Sequence, residues 1–168
     1  MNWINKVTPP GLKTMLAKRD TPDDLWVKCP LSGELVYKTD LEENWHVTPA
    51  GAHLRISPRT RFRLLFDDER WEPIELPGVA LDPLKFKDDK PYPARLKAAK
   101  SKIAAREKKE TEGGGAPLLQ DDCMVAAYGK IGGVPAVVLV QDFAFMGGSL
   151  GMAAGEGFIT AAHMALAR

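Results

Sequence analysis

Hydrophobic and polar positions change their spacing several times along the chain, and each change predicts an element. Residues 1–24 mix Lys, Pro and Thr without a clear period and read as a mobile or loosely docked arm. Two short β-like stretches follow, Leu35-Val36-Tyr37 and Trp45-His46-Val47, with turn residues between them. Ser57-Pro58 is a helix start, an N-cap followed by proline at the first helical position. Phe62, Leu65 and Phe66 then share one helical face. Pro73, Pro77 and Pro83 make residues 71–84 an extended linker. After Pro91 the apolar positions Tyr92, Leu96, Ala99 and Ile103 return at helical spacing, and Gly113-Gly114-Gly115 stops that helix. Cys123 to Ile131 and Val134 to Phe143 flank Gly132-Gly133, the pattern of a hairpin. The continuous run Val137-Val138-Leu139-Val140 predicts a strand buried on both faces. Leu150 to Leu166 is apolar nearly all round, which predicts a buried helix.

Composition narrows the class. The 168 residues are 45% hydrophobic and 27% charged, the balance of a folded globular chain rather than a disordered or fibrous one. The formal net charge of +1 argues against a strongly basic nucleic-acid binder, and the basic run Lys97 to Lys109 reads as a solvated helix face. No apolar run reaches the length of a membrane span, and Met1 to Pro10 lacks the apolar core of a secretory signal. Two cysteines form no disulfide framework and fit a reducing, cytoplasmic setting. Residues 1–112 carry 21 basic and 18 acidic side chains, whereas residues 113–168 carry 2 and 4 and are rich in Gly, Ala and Val. Four segments result: the arm 1–24, a β-rich segment 25–56, a helical linker region 57–112, and an apolar segment 113–168.

Cys29-Pro30-Leu31-Ser32, fifteen residues, then Thr48-Pro49-Ala50-Gly51 has the spacing of a zinc ribbon. Only Cys29 of the four ligands is present; Ser32, Thr48 and Gly51 stand in the other places. A structural zinc takes four ligands, mostly thiolate or imidazole. His46 and His53 lie two residues outside the ligand places and read as surface histidines, so no zinc is expected. Packing must then hold this segment, with Leu25, Trp26, Val36, Tyr37, Leu41, Trp45 and Val47 as the candidates.

Gly147-Gly148-Ser149-Leu150-Gly151 fits the G-x-S-x-G of a hydrolase elbow, between a strand and a helix. Only His163 follows it, in the same predicted helix and roughly 20 Å away at about 1.5 Å of rise per residue, too far to take the serine proton. The other reading is that small residues before a helix let backbone N–H groups approach an acyl oxygen or a phosphate, or merely let the helix pack closely on the sheet.

Met1-Asn2-Trp3-Ile4, Leu25-Trp26-Val27-Lys28-Cys29-Pro30, the ribbon spacing, Asp82-Pro83-Leu84-Lys85-Phe86 with Tyr92, and above all Phe143-Ala144-Phe145-Met146-Gly147-Gly148-Ser149-Leu150-Gly151 resemble the N-terminal part of the β subunit of bacterial acetyl-CoA carboxylase carboxyltransferase. The resemblance implies an α+β or α/β chain, with a degenerate zinc-ribbon-like segment and the first ββα unit of a crotonase-like domain. It implies transfer of a carboxyl group from carboxybiotin on a carrier protein to acetyl-CoA, giving malonyl-CoA for fatty-acid synthesis. It implies an α subunit in an α2β2 arrangement, a biotin carboxyl carrier protein and a biotin carboxylase as partners, the last giving the complex its ATP-binding, nucleotide-binding component. Phe145, Met146, Gly147, Gly148 and Ser149 would be a CoA-facing loop. The family's Ser-Gly-Gly-Ala-Arg stretch, whose backbone donors form an oxyanion hole, is absent from these residues. The expectation is a truncated, inactive form, with the catalytic donors beyond Arg168; the alternative is a non-catalytic module that binds the α subunit.

Overall fold

The computed structural model describes residues 25–112 and 117–168, which fall into two compact units divided between Arg55 and Ile56. It is a mixed helix and sheet structure with two small antiparallel sheets. The arm expected over residues 1–24 and the glycine stop at 113–115 lie outside the described residues.

In the smaller unit, β1 (Trp26–Lys28) pairs with β2 (Leu35–Tyr37), Trp26 opposite Tyr37 and Lys28 opposite Leu35. The paired Trp26 and Tyr37 rings lie 5.2 Å apart. A short helix α1 (Lys38–Glu43) follows and buries Leu41. The strand expected over Trp45-His46-Val47 does not form. Trp45 and His46 are both left-handed, which breaks an extended chain, and only an isolated bridge between Val47 and His53 remains. The packing set expected here is also corrected: Leu41 is buried, but Trp26 and Trp45 are more than half exposed. The buried positions are Cys29, Leu41, Thr48 and Ala52.

The larger unit begins as its cap predicts. The Ser57 hydroxyl accepts the Thr60 amide at 3.1 Å, and Pro58 opens α2 (Pro58–Leu65). Residues 71–74 are not linker but β3 (Trp71–Ile74), and the sheet runs β3-β4-β5 with β4 (Met124–Ile131) at its centre and β5 (Val134–Gln141) at an edge. Trp71 lies opposite Gly129, Ala127 opposite Val138, and Ile131 opposite Val134. Centrality sets burial: Val125, Ala126 and Ala127 of β4 are fully buried, whereas Val137 to Val140 of β5 are half-buried, against the expectation of burial on both faces.

Alternation along β4 sends Val125 and Ala127 into a cluster with Phe62, Phe66 and Leu118. Ala126 points the other way, to Ile74 and to Ala161 of α4 (Met152–Ala167). The sheet thus has a helix on each face. α4 buries only Ala154, Gly157 and Ala161; Phe158 is 63% and Leu166 86% exposed, so this helix is not the enclosed one its composition predicts. The long helix α3 (Tyr92–Thr111) buries Leu96 and Ile103 against Cys123, Phe145 and Ala154. A buried ion pair, Arg59 to Glu107 at 3.0 Å, ties α2 to α3, and the Leu118 amide donates to the same carboxylate oxygen. Among the described residues, no helix is long and apolar enough to cross a membrane.

Candidate functional site

The segment after β5 is a tightly pinned loop. Phe145 anchors it in the cluster with Leu96, Ile103 and Cys123. Met146, Gly147 and Gly148 are all left-handed, a run for which two glycines suit the chain. Inside the loop the Phe145 amide donates to the Asp142 carbonyl at 3.1 Å, and the Gly148 amide to the Phe145 carbonyl at 2.7 Å. From outside, the Gln141 side-chain amide donates to the Gly148 carbonyl and the Cys123 thiol to the Ser149 carbonyl. Burial, then the neighbouring Asp122, pushes the Cys123 thiol up to about 12, so it stays protonated and able to donate. The Ser149 hydroxyl donates to the Met146 carbonyl at 2.8 Å, a structural bond rather than a link to a base.

Asp142, which starts the loop, is 3% exposed. One carboxylate oxygen accepts Arg106 at 2.7 Å and Gln120 at 2.9 Å, and the other accepts the Ala144 amide at 2.9 Å. Burial alone would raise this group, but the bonds from Arg106, Gln120 and Ala144 outweigh it and hold the carboxyl below the usual range.

The loop forms one wall of a cavity of about 980 Å³, within the larger unit. Of the five loop residues singled out from the sequence, Phe145, Met146 and Ser149 line it, and Gly147 and Gly148 do not. The opposite walls are the apolar strap 75–86, the first half of α3 and residues 118–122. Sequence reasoning missed Leu76, Leu81, Tyr92, Arg95 and Lys100 as lining residues. The two basic groups are held at the cavity by Asp88, 2.5 Å from Arg95, and Asp121, 2.6 Å from Lys100. The exchange of chain between helix, strap and loop leaves no periodic signal; only the interruption of the α3 basic face by Tyr92 and Leu96 hinted at a covered side. Burial, then Asp122 and Asp82, raises the Tyr92 phenol, which lines this space.

In the smaller unit, three of the four ribbon places do meet. The Cys29 sulfur lies 3.2 Å from the Thr48 hydroxyl and accepts the Ser32 amide at 3.4 Å; the Thr48 hydroxyl also accepts the Ala52 amide at 3.0 Å. Hydrogen bonds from Ser32 and Thr48 bring the Cys29 thiol down to about 7. The two turns differ. In the first, left-handed Gly33 follows the second ligand place; in the second, the left-handed residue is Gly51 itself, where a ligand side chain would be strained. One thiol, two hydroxyls and a glycine do not fit a structural zinc, and among the described residues no three His, Cys, Asp or Glu side chains gather as a metal site. His53 is exposed and His46 half-buried.

No protein-family profile matches the chain. Individual proteins do. The acetyl-coenzyme A carboxylase carboxyl transferase subunit beta of Hyphomonas neptunium is 84% identical over 168 residues, covering 100% of this chain and 52% of that protein. The chain is a homologue of these β subunits. The same subunit of Hirschia baltica is 57% identical over 166 residues, 99% of this chain and 43% of its own length, and that of Maricaulis maris is 56% identical over 168 residues, 100% and 49%. This β-subunit homologue therefore spans about half the length of the curated relatives it matches.

Proposed function

We propose that this chain belongs to the β side of an acetyl-CoA carboxylase carboxyltransferase, and that its 143–151 loop and the cavity behind it face acetyl-CoA. What carries the reading is the identity of 84% along every residue with a protein of that name. The site chemistry is compatible with it. The reaction calls for placement of two large substrates and for backbone donors to a developing oxyanion, not for a nucleophilic side chain. Accordingly, Ser149 spends its hydroxyl on a carbonyl, and the loop is shaped by glycines and backbone bonds. Carboxybiotin on its carrier would supply the carboxyl group. Phe145 and Met146 would present an apolar wall to the pantetheine arm, and Arg95 and Lys100, which line the same cavity, would meet phosphate.

Several finer points belong to the same proposal. The order β4, β5, α4 supports a crotonase-like ββα unit, and the spacing from Cys29 to Gly51 supports a ribbon that has exchanged metal for hydrogen bonds. The partners would be the α subunit, in an α2β2 assembly, the biotin carboxyl carrier protein and the biotin carboxylase, in the cytoplasm. The 168 residues contain no Ser-Gly-Gly-Ala-Arg stretch, so as an isolated polypeptide they would carry no turnover. The complete gene product, reconstituted with α subunit and carboxylated carrier, should form malonyl-CoA; failure to do so would reject the assignment.

A second reading, a non-catalytic module that binds the α subunit, is favoured by the exposed apolar side of α4, where Met152, Phe158, Ile159 and Leu166 face outward. It requires binding without turnover in the same reconstitution, and any turnover would reject it.

A further inference from the structure

One buried carboxylate, outside the cavity lining itself, ties together the elements that supply three of its walls. Asp142 reaches outward through one oxygen, which accepts Arg106 of α3 and Gln120 of the 118–122 segment. It reaches into the loop through the other oxygen, which accepts the Ala144 amide, and through its own carbonyl, which accepts the Phe145 amide. Its amide is tied to the Cys123 carbonyl at 2.6 Å. Arg106 and Gln120 are also bonded to each other at 3.2 Å, so the outer partners form a closed triangle with the carboxylate.

We propose that Asp142 is a positioning residue that sets the separation between α3 and the Phe145–Ser149 wall, and through it the fit of the acyl-CoA in the cavity. This rests on the acyl-CoA reading above. A buried ion pair is a weak source of stability, because desolvation offsets much of the attraction, and an apolar pair of similar volume does as well. What it does supply is direction. Each bond to Asp142 accepts only a narrow geometry, and together they leave the first turn of the loop one placement relative to α3. An apolar contact would hold the same elements together but let them slide. Of the other loop anchors, the Phe145 ring packs on Leu96 and Ile103 of α3 without fixing a direction, and Gln141 and Cys123 act on the carbonyls of Gly148 and Ser149, so the directed bonds at the entry of the loop come from Asp142 and those at its exit from them.

The test uses the complete gene product reconstituted with α subunit and carboxylated carrier, in Asp142→Asn and Arg106→Lys variants. Asp142→Asn puts a donor where Arg106 and Gln120 already donate. Its KM for acetyl-CoA should rise about tenfold, while the KM for the carboxylated carrier stays within about twofold. Arg106→Lys keeps the charge but removes the planar Nη2 amino group that donates to both Asp142 and Gln120, and should raise the same KM by about threefold. A purely structural role would lower the active fraction, and hence kcat, with both KM values unchanged; that result overturns the inference and leaves the acyl-CoA reading standing. Should the wild-type assembly show no transfer, that reading fails, and hydrogen exchange decides the positioning claim by itself. Amides 143–148 should then exchange about tenfold faster in Asp142→Asn with β4 and β5 amides unaltered, and equal protection of the loop in variant and wild type would overturn it.

Discussion

The smaller unit buries Cys29, Leu41, Thr48 and Ala52, and its two strands are three residues long; the larger one packs Phe62, Phe66, Val125, Ala126, Ala127 and Phe145 around an eight-residue central strand. A segment as small as the first has little apolar area to bury, and such segments usually lean on a metal or a disulfide. Here the pins are hydrogen bonds round one thiol and one hydroxyl. The difference separates two sources of order: the larger unit depends on shape complementarity, the smaller on a few polar atoms that must keep their partners.

That contrast breaks most visibly at Phe62. Its ring is fully buried against Phe66 and Trp71, with centroids 5.8 Å and 5.9 Å away. Phe62→Ala should cost about 3–5 kcal/mol in denaturant unfolding, the range for emptying a large aromatic site. Trp45→Ala in the smaller unit, at a residue 59% exposed, should change the unfolding midpoint little. An equal loss at both positions would erase the distinction. Next in size comes Gly129, where an added Cβ would lie 2.6 Å from the Phe66 ring and 2.9 Å from the Arg70 carbonyl oxygen. Backbone and a packed ring cannot both retreat, so Gly129→Ala should destabilise by about 1–3 kcal/mol.

The same two regions explain what could be read from the chain and what could not. α2 and α3 were legible because Ser57-Pro58 and Pro91 mark helix starts by local chemistry, and the hairpin because Gly132 and Gly133 supply the left-handed turn. The Asp67 carboxylate, which accepts both of those glycine amides at 2.8 and 2.7 Å, is 65 residues from the first, and no local rule finds it. Burial of β4 rather than β5 was illegible for a related reason. The valines of β5 look more central than Ala126 and Ala127, but position in the sheet was decided by β3, which Pro73 disguised as linker. Pro73 lies opposite Ala127 in an edge strand, a place where proline is tolerated. The loop residues of the candidate site were readable as a motif, but its cavity was not, since the walls facing the loop come from three further, separated segments.

Thr48→Val tests the smaller unit directly. The shape is kept, but the Ala52 amide loses its acceptor and Cys29 its hydroxyl partner. A buried donor left unmatched costs about 1–3 kcal/mol, and the loss should show in hydrogen exchange over residues 46–54, with the larger unit unchanged. Acid reaches the larger unit by another route. Hydrogen bonds from the Gly133 and Gly132 amides lower the Asp67 carboxyl, and Asp142 is also held low. A depressed folded-state value means that the folded chain binds fewer protons near pH 4 than the unfolded one. The stabilisation from these groups is therefore complete above an ordinary Asp value of about 3.9 and is lost as pH falls through the depressed values. Asp67→Asn should flatten the fall of stability with acid below about pH 4, and an unchanged slope would remove Asp67 from the account.

The smallest expected effect carries the most information about the ribbon spacing. If Cys29 and Thr48 have replaced a metal, EDTA should leave the thermal midpoint and the hydrogen exchange of residues 25–55 unchanged, and purified protein should carry well below about one zinc per chain. A structural zinc site behaves in the opposite way: chelation unfolds the segment, because metal binding and folding are one equilibrium. The two outcomes separate because zinc would need, besides the Cys29 sulfur, three donors which Ser32, Thr48 and Gly51 do not offer. Loss of structure on chelation would therefore mean that ligands come from outside residues 25–55. The contrast between a packed unit and a hydrogen-bonded one would then give way to a contrast between a packed unit and a metal-held one.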